Sequence, residues 1–139
     1  MVRIRLRFEG PLIVPIAYHA LLQKTVYTLF PTEVVQEWRG KHRVRPFTFS
    51  RVLGRTQRQP QHTLTFSGPI DWWISLRRQE DVRVLLDRIA VHPVLVLAGQ
   101  RREIAGIERK SIDSYRQMAA HSISELGVKP RKNLGIRNS

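Results

Sequence analysis

Cysteine is absent from the 139 residues, which excludes a disulfide framework, a zinc finger and a thiol nucleophile together. Acidic residues are scarce: eleven Asp and Glu face 24 Lys and Arg, for a formal charge of +13 and an isoelectric point near 11.5. An imbalance of that size points to a polyanionic partner. No uninterrupted apolar run reaches the length of a membrane span, and the N-terminus alternates apolar residues with Arg3, Arg5 and Arg7 where a signal peptide would be continuously apolar. The expectation is a cytoplasmic protein with no membrane partner. Metal-ligand spacing is also lacking. His19, His42, His62, His92 and His121 stand apart, and no pair has the spacing of a site on one helix or hairpin, so neither a metal nor another cofactor is expected.

What is present is enough apolar material, 42% of residues, for one hydrophobic core, which argues against a disordered basic tail. Val2, Ile4, Leu6 and Phe8 alternate with three arginines, the period of two that makes a strand with one apolar and one cationic face. The stretch Ile16 to Phe30 carries Leu22, Val26 and Leu29 at helical spacing, and Pro31 stops it. A short strand is expected over residues 46 to 52. Strand-like runs follow at His62 to Ser67 and Ile70 to Leu76, with Gly68 and Pro69 between them as a hairpin signal. Trp72 and Trp73, being adjacent, point to opposite faces, one into the core and one with a free face.

Residues 79 to 91 place Val82, Leu85, Leu86 and Ile89 on one stripe, with Glu80 and Asp81 in the first turn. Val94 to Leu97 and Glu103 to Ile107 read as a last hairpin around Ala98 and Gly99. The order β, α, β, β, α, β is the split βαβ pattern of ferredoxin-like and RNA-recognition folds, an α+β antiparallel sheet with helices on one face. The expected organisation is a ferredoxin-like domain over residues 1 to 109. A C-terminal helix from Ser111 to Leu126 and a basic, glycine-containing tail complete residues 110 to 139.

The charge excess concentrates between Arg39 and Arg58, where Arg39, Lys41, Arg43, Arg45, Arg51, Arg55 and Arg58 occur without an acid. Clustered cations of this kind supply sequence-independent affinity for nucleic acid by releasing condensed counterions. The alternative is a solvated loop that serves only solubility. Arg3, Arg5 and Arg7 read equally as a ladder under an RNA backbone or as a charged strand edge. His42, between Lys41 and Arg43, and His19, beside Tyr18, are the histidines placed to act as acid or base near a phosphodiester. The tail offers Lys129, Arg131 and Lys132 among glycines, an arrangement able to cradle an anion.

Val14 and Pro15 through Leu22, Gln23, Val26 and Tyr27, then Phe47, Thr48, Phe49 and Ser50, then Val91, His92 and Pro93 ahead of a strand, stand in a familiar order. Over residues 2 to 108 the chain resembles the CRISPR repeat-processing endoribonucleases of the RAMP superfamily. Gly127, Arg131, Lys132, Asn133, Leu134 and Gly135 resemble a degenerate copy of that family's glycine-rich loop, with Lys129 and Arg137 in place of two glycines. The family's usual form has two ferredoxin-like domains. This chain resembles the first, joined to a remnant of the second or as a fragment.

The resemblance implies metal-independent RNA cleavage, in which the 2'-hydroxyl attacks the adjacent phosphate to leave a 2',3'-cyclic phosphate and a 5'-hydroxyl. Tyr27 matches the family's tyrosine and Arg45 falls at its lysine. The place of its histidine, around Glu37, Trp38 or Arg39, holds none, and His42 stands a few residues downstream. The resulting reading is a protein that binds CRISPR repeat RNA through Arg39, Lys41, Arg43, Arg51, Arg55, Arg58, Lys129, Arg131 and Lys132, with catalysis degenerate. The alternatives are an active endoribonuclease using Tyr27, His42 and Arg45, and a generic basic RNA-binding scaffold. RNA is the expected partner, with a homodimer or other CRISPR effector proteins as further partners that the resemblance admits.

Overall fold

The alternation at the N-terminus forms β1 (Val2–Glu9), in which Val2, Ile4, Leu6 and Phe8 are buried. In this computed structural model, which describes residues 1–41 and 46–111, Val2–Lys110 form one compact unit. The expected C-terminal helix and tail lie outside the described residues. After a break at Gly10 and Pro11 the chain continues as β2 (Leu12–Pro15). Leu22, Thr25 and Val26 form the buried stripe of α1 (His19–Thr28), which is shorter at both ends than its apolar pattern predicted.

Pro31 does more than stop α1. It also opens α2 (Thr32–Lys41), a helix not anticipated in the basic stretch, because proline fits the first turn of a helix as well as it ends one. This second helix is anchored by buried Val35 and Trp38. Trp38 packs edge-on against Phe30, with ring centroids 4.6 Å apart, and against Phe47 at 5.2 Å.

Phe47 starts β3 (Phe47–Phe49), followed by β4 (Leu53–Gln59) and the long β5 (Thr63–Leu76). β5 is the spine of the sheet. β1 and then β2 run antiparallel along one of its edges, and β3 and then β4 along the other. The hairpin expected at Gly68 and Pro69 is therefore not there: both residues lie inside one continuous strand. The register explains why. Between Leu53↔Asp71 and Arg55↔Ser67 the pairing of β4 slips, a bulge that Gly68 absorbs with a φ of +70°. The actual turn lies between Gln59 and Thr63, where His62 takes a φ of 60°.

α3 (Gln79–Val91) buries Val82, Leu85 and Ile89 as its stripe predicted. β6 (Val94–Leu97) and β7 (Gln100–Ser111) form the last hairpin, turning through Ala98 and Gly99, both at positive φ as a two-residue type I′ turn requires. In the sheet, β5 lies next to β1, β1 next to β7 and β7 next to β6. With β3 and β4 on the far side of β5, this is the ferredoxin-like arrangement. Core side chains of β1, β5 and β6 form a single cluster with those of all three helices.

The other face of β1 corrects two expectations. Arg7 makes two hydrogen bonds of 2.8 Å to Asp71, Arg5 pairs with Glu108 at 3.3 Å, and the Arg3 guanidinium lies 4.4 Å over the Trp73 ring. These arginines form neither an open ladder nor a charged edge, since β1 is an interior strand whose neighbours supply their partners. Trp72 is wholly buried, and Trp73, only 9% exposed, has its outer face covered by Arg3.

Candidate nucleic-acid interface

Cations differ sharply in how they are engaged. The hydrogen bonds from Arg7 to Asp71 raise its pKa further above the ordinary guanidinium value. Arg78 is raised likewise, first by its bonds to Asp81 and then by Glu37. Asp81 is only 1% exposed and accepts from Arg78 Nε and from the indole N–H of Trp38, at 3.1 and 3.3 Å. Arg88, whose pKa burial pushes down, donates to the carbonyls of His92 and Val94 and so closes the end of α3. These side chains hold the fold together and have little left for a ligand.

The β3–β4 edge is different. Arg51, Arg55 and Arg58 are all exposed, and no carboxylate among the described residues pairs with them. The sequence explains this, because no Asp or Glu occurs between Glu37 and Asp71. Among the described residues the acids sit instead on β1, α2, β5, α3 and β7. Among the described residues β4 pairs only with β5, so its outer backbone edge is open as well.

At the start of this edge the exposed His19 ring lies on Phe49, with centroids 4.9 Å apart and the planes tilted by 35°. Beside the pair is a cavity of about 240 Å3 whose lining includes Ile16, Tyr18, His19, Phe49 and Arg51. A second, of about 470 Å3, shares Ile16, Tyr18 and Arg51 and extends past Leu64 and Phe66 to Arg58. The sequence places His19 as a candidate acid or base but does not show its contact with Phe49, which a different element brings up.

Tyr27 is half-buried on α1, its ring edge-on to Phe47 at 5.6 Å and beneath the guanidinium of exposed Arg39 at 5.0 Å. Its hydroxyl has no hydrogen-bond partner among the described residues. The structure thus joins Tyr27 to Arg39, and Arg51 to Arg58. His42, Arg43 and Arg45, like Lys129, Arg131 and Lys132, lie outside the described residues, and Lys41 is described only as the last residue of α2. Among the described residues no group of three His, Asp or Glu gathers to hold a metal, and no helix is long and apolar enough to cross a membrane.

No protein-family model and no curated protein matches the sequence. Solved structures do. A CRISPR-associated protein Cas6 matches at 15% identity with a TM-score of 0.59, covering 81% of this chain and 50% of its own. A Cas6-related protein from Pyrococcus furiosus matches at 17% identity and 0.55, covering 81% and 48%. A RAMP protein described as binding different RNA substrates matches at 19% identity and 0.56, covering 82% and 50%. The chain spans about half the length of these structures. What the matches establish is architecture: this chain has a ferredoxin-like fold similar to the one in these Cas6 and RAMP structures.

Proposed function

We propose that the chain is an RAMP-type protein that binds CRISPR repeat RNA, with the β3–β4 edge as its phosphate-contacting surface. The observation that carries this reading is the division among the arginines. Arg5 and Arg7 of β1 and Arg78 at the start of α3 are committed to Glu108, Asp71, Glu37 and Asp81, while Arg51, Arg55 and Arg58 have no carboxylate partner among the described residues. Unpaired exposed guanidiniums along one open edge exchange their counterions for RNA phosphates. Arg39, Lys41 and Arg43 extend the same surface in sequence, and Lys129, Arg131 and Lys132 add a second contact in this reading. Support also comes from the RAMP structural neighbour described as binding RNA.

Anisotropy titrations with the source genome's repeat RNA and a scrambled hairpin of equal length, at matched salt, separate repeat recognition from a generic scaffold. The repeat is expected to bind more tightly. Equal affinity for both would leave only phosphate binding and defeat the repeat-specific reading.

Tyr27 favours a second reading, an active metal-independent endoribonuclease. Its hydroxyl has no partner among the described residues, and Arg39 lies over its ring, a cation placed to stabilise charge building on a phosphorane. In that chemistry the attacking 2'-hydroxyl loses its proton to a base, the bond to the 5'-oxygen breaks, and an acid protonates the leaving oxygen. Tyr27 and His42 would share these proton transfers, and Arg45 would add positive charge at the phosphorane. Incubating the protein and repeat RNA in EDTA decides it: a cut slowed about 100- to 10,000-fold in His42→Ala supports catalysis. Tight binding without a cut sinks it.

A further inference from the structure

The two cavities meet at Tyr18, which is 5% exposed and lines both. Its hydroxyl accepts the backbone N–H of Val52 at 3.3 Å, but no acceptor among the described residues takes its own proton. A nearly buried donor left open at the junction of two cavities is a binding group in waiting, since burying it unsatisfied costs free energy. The neighbouring hydroxyl is already spent. Ser50 Oγ donates to the Arg51 carbonyl at 2.7 Å and accepts the Trp73 N–H at 3.1 Å.

Around this donor the groove combines an aromatic platform with cations. His19 is exposed and backed by Phe49, while Arg51 borders both cavities and Arg58 the larger one. Aromatic faces with interleaved guanidiniums suit unpaired nucleotides, whose bases stack on any ring while phosphates follow the charge. A base inside a duplex has its edge and both faces occupied and cannot enter.

From this geometry we infer that the groove is a pocket for an unpaired RNA nucleotide. The base enters the smaller cavity against the His19–Phe49 pair, and an acceptor on its edge takes the Tyr18 hydroxyl proton. Its phosphate lies against Arg51, and the next phosphate reaches Arg58. This inference rests on the RNA-binding reading and adds to it a preference for single strands.

The test uses the full chain, a short labelled single-stranded RNA and the same strand annealed to its complement. His19→Ala, at an exposed position, is expected to weaken single-strand binding about tenfold and to leave duplex binding unchanged. Tyr18→Phe keeps the ring and removes the donor, with an expected loss of about fivefold on the single strand alone. If both variants bind the single strand like wild type while Arg55→Gln weakens binding to both RNAs, the pocket is overturned and the RNA-binding edge stands. Equal losses on both RNAs in His19→Ala also overturn the pocket. Wild-type protein that binds neither RNA overturns both readings.

Discussion

Replacing Arg51, Arg55 and Arg58 together by Gln is expected to weaken single-stranded RNA binding roughly 50-fold at about 0.15 M salt. Each phosphate contact to a single strand adds about 0.7 to the slope of log affinity against log salt, so losing these contacts flattens the slope by about 2. The loss is electrostatic, and stability should not share in it. All of these side chains are exposed, and none has an acidic partner among the described residues, so the folded state forfeits about 0.5 kcal/mol or less per site. Anisotropy titrations over a salt series read both quantities. An unchanged slope in the variant would place the phosphate contacts elsewhere on the molecule.

Asp81→Ala is expected to have the larger effect on stability, about 2 to 4 kcal/mol. Asp81 receives Arg78 through Nε and Nη2 and also the Trp38 indole N–H. Removing its carboxylate leaves a donor on Trp38, itself 3% exposed, without its acceptor, and cuts the direct hydrogen bond between α2 and α3, while Arg78 keeps its bond to Glu37. The figure stays below that for a fully buried ion pair because the Arg78 side chain is 26% exposed and regains water. Asp81→Asn, which keeps an acceptor for the indole but not the charge, should fall between Ala and wild type in urea unfolding. A loss below about 1 kcal/mol for Asp81→Ala would show that the tie contributes little beyond an ordinary hydrogen bond.

Elements whose signals are local were legible in the sequence. The alternation of β1, the apolar stripe of α3 and the last hairpin around Ala98 and Gly99 each lie within a few residues and formed as expected, with the second strand of the hairpin starting earlier, at Gln100. Failures came where one residue serves two roles or a partner is distant. Pro31 signals both an end and a beginning, and α2 runs into the basic stretch from Arg39, which hides its short apolar stripe of Val35 and Trp38. Gly68 with Pro69 carries the composition of a turn, yet pairing on both sides of β5 turns it into a bulge.

The charged residues follow the same rule. Nothing near Arg7 in the chain reveals Asp71, 64 positions away, so a committed arginine and a free one look alike before folding. The acid-free run from Arg39 to Arg58 was legible because it depends on composition alone. The fold class followed from the order of elements, and the structural matches bear it out. The groove at Tyr18 was not legible, since Phe49 and Arg51 reach His19 only once β3 is paired to β5.

Mapping the contact itself tests the central claim most directly. Ultraviolet cross-linking of the full chain to single-stranded RNA, followed by mass spectrometry of the linked peptides, reads which surface touches the ligand. Links are expected in the peptides that carry Tyr18, His19 and Phe49 and in those spanning Arg51 to Arg58. Links confined to α3 or to the Arg3, Arg5 and Arg7 face of the sheet, with none on β3 or β4, would contradict the account.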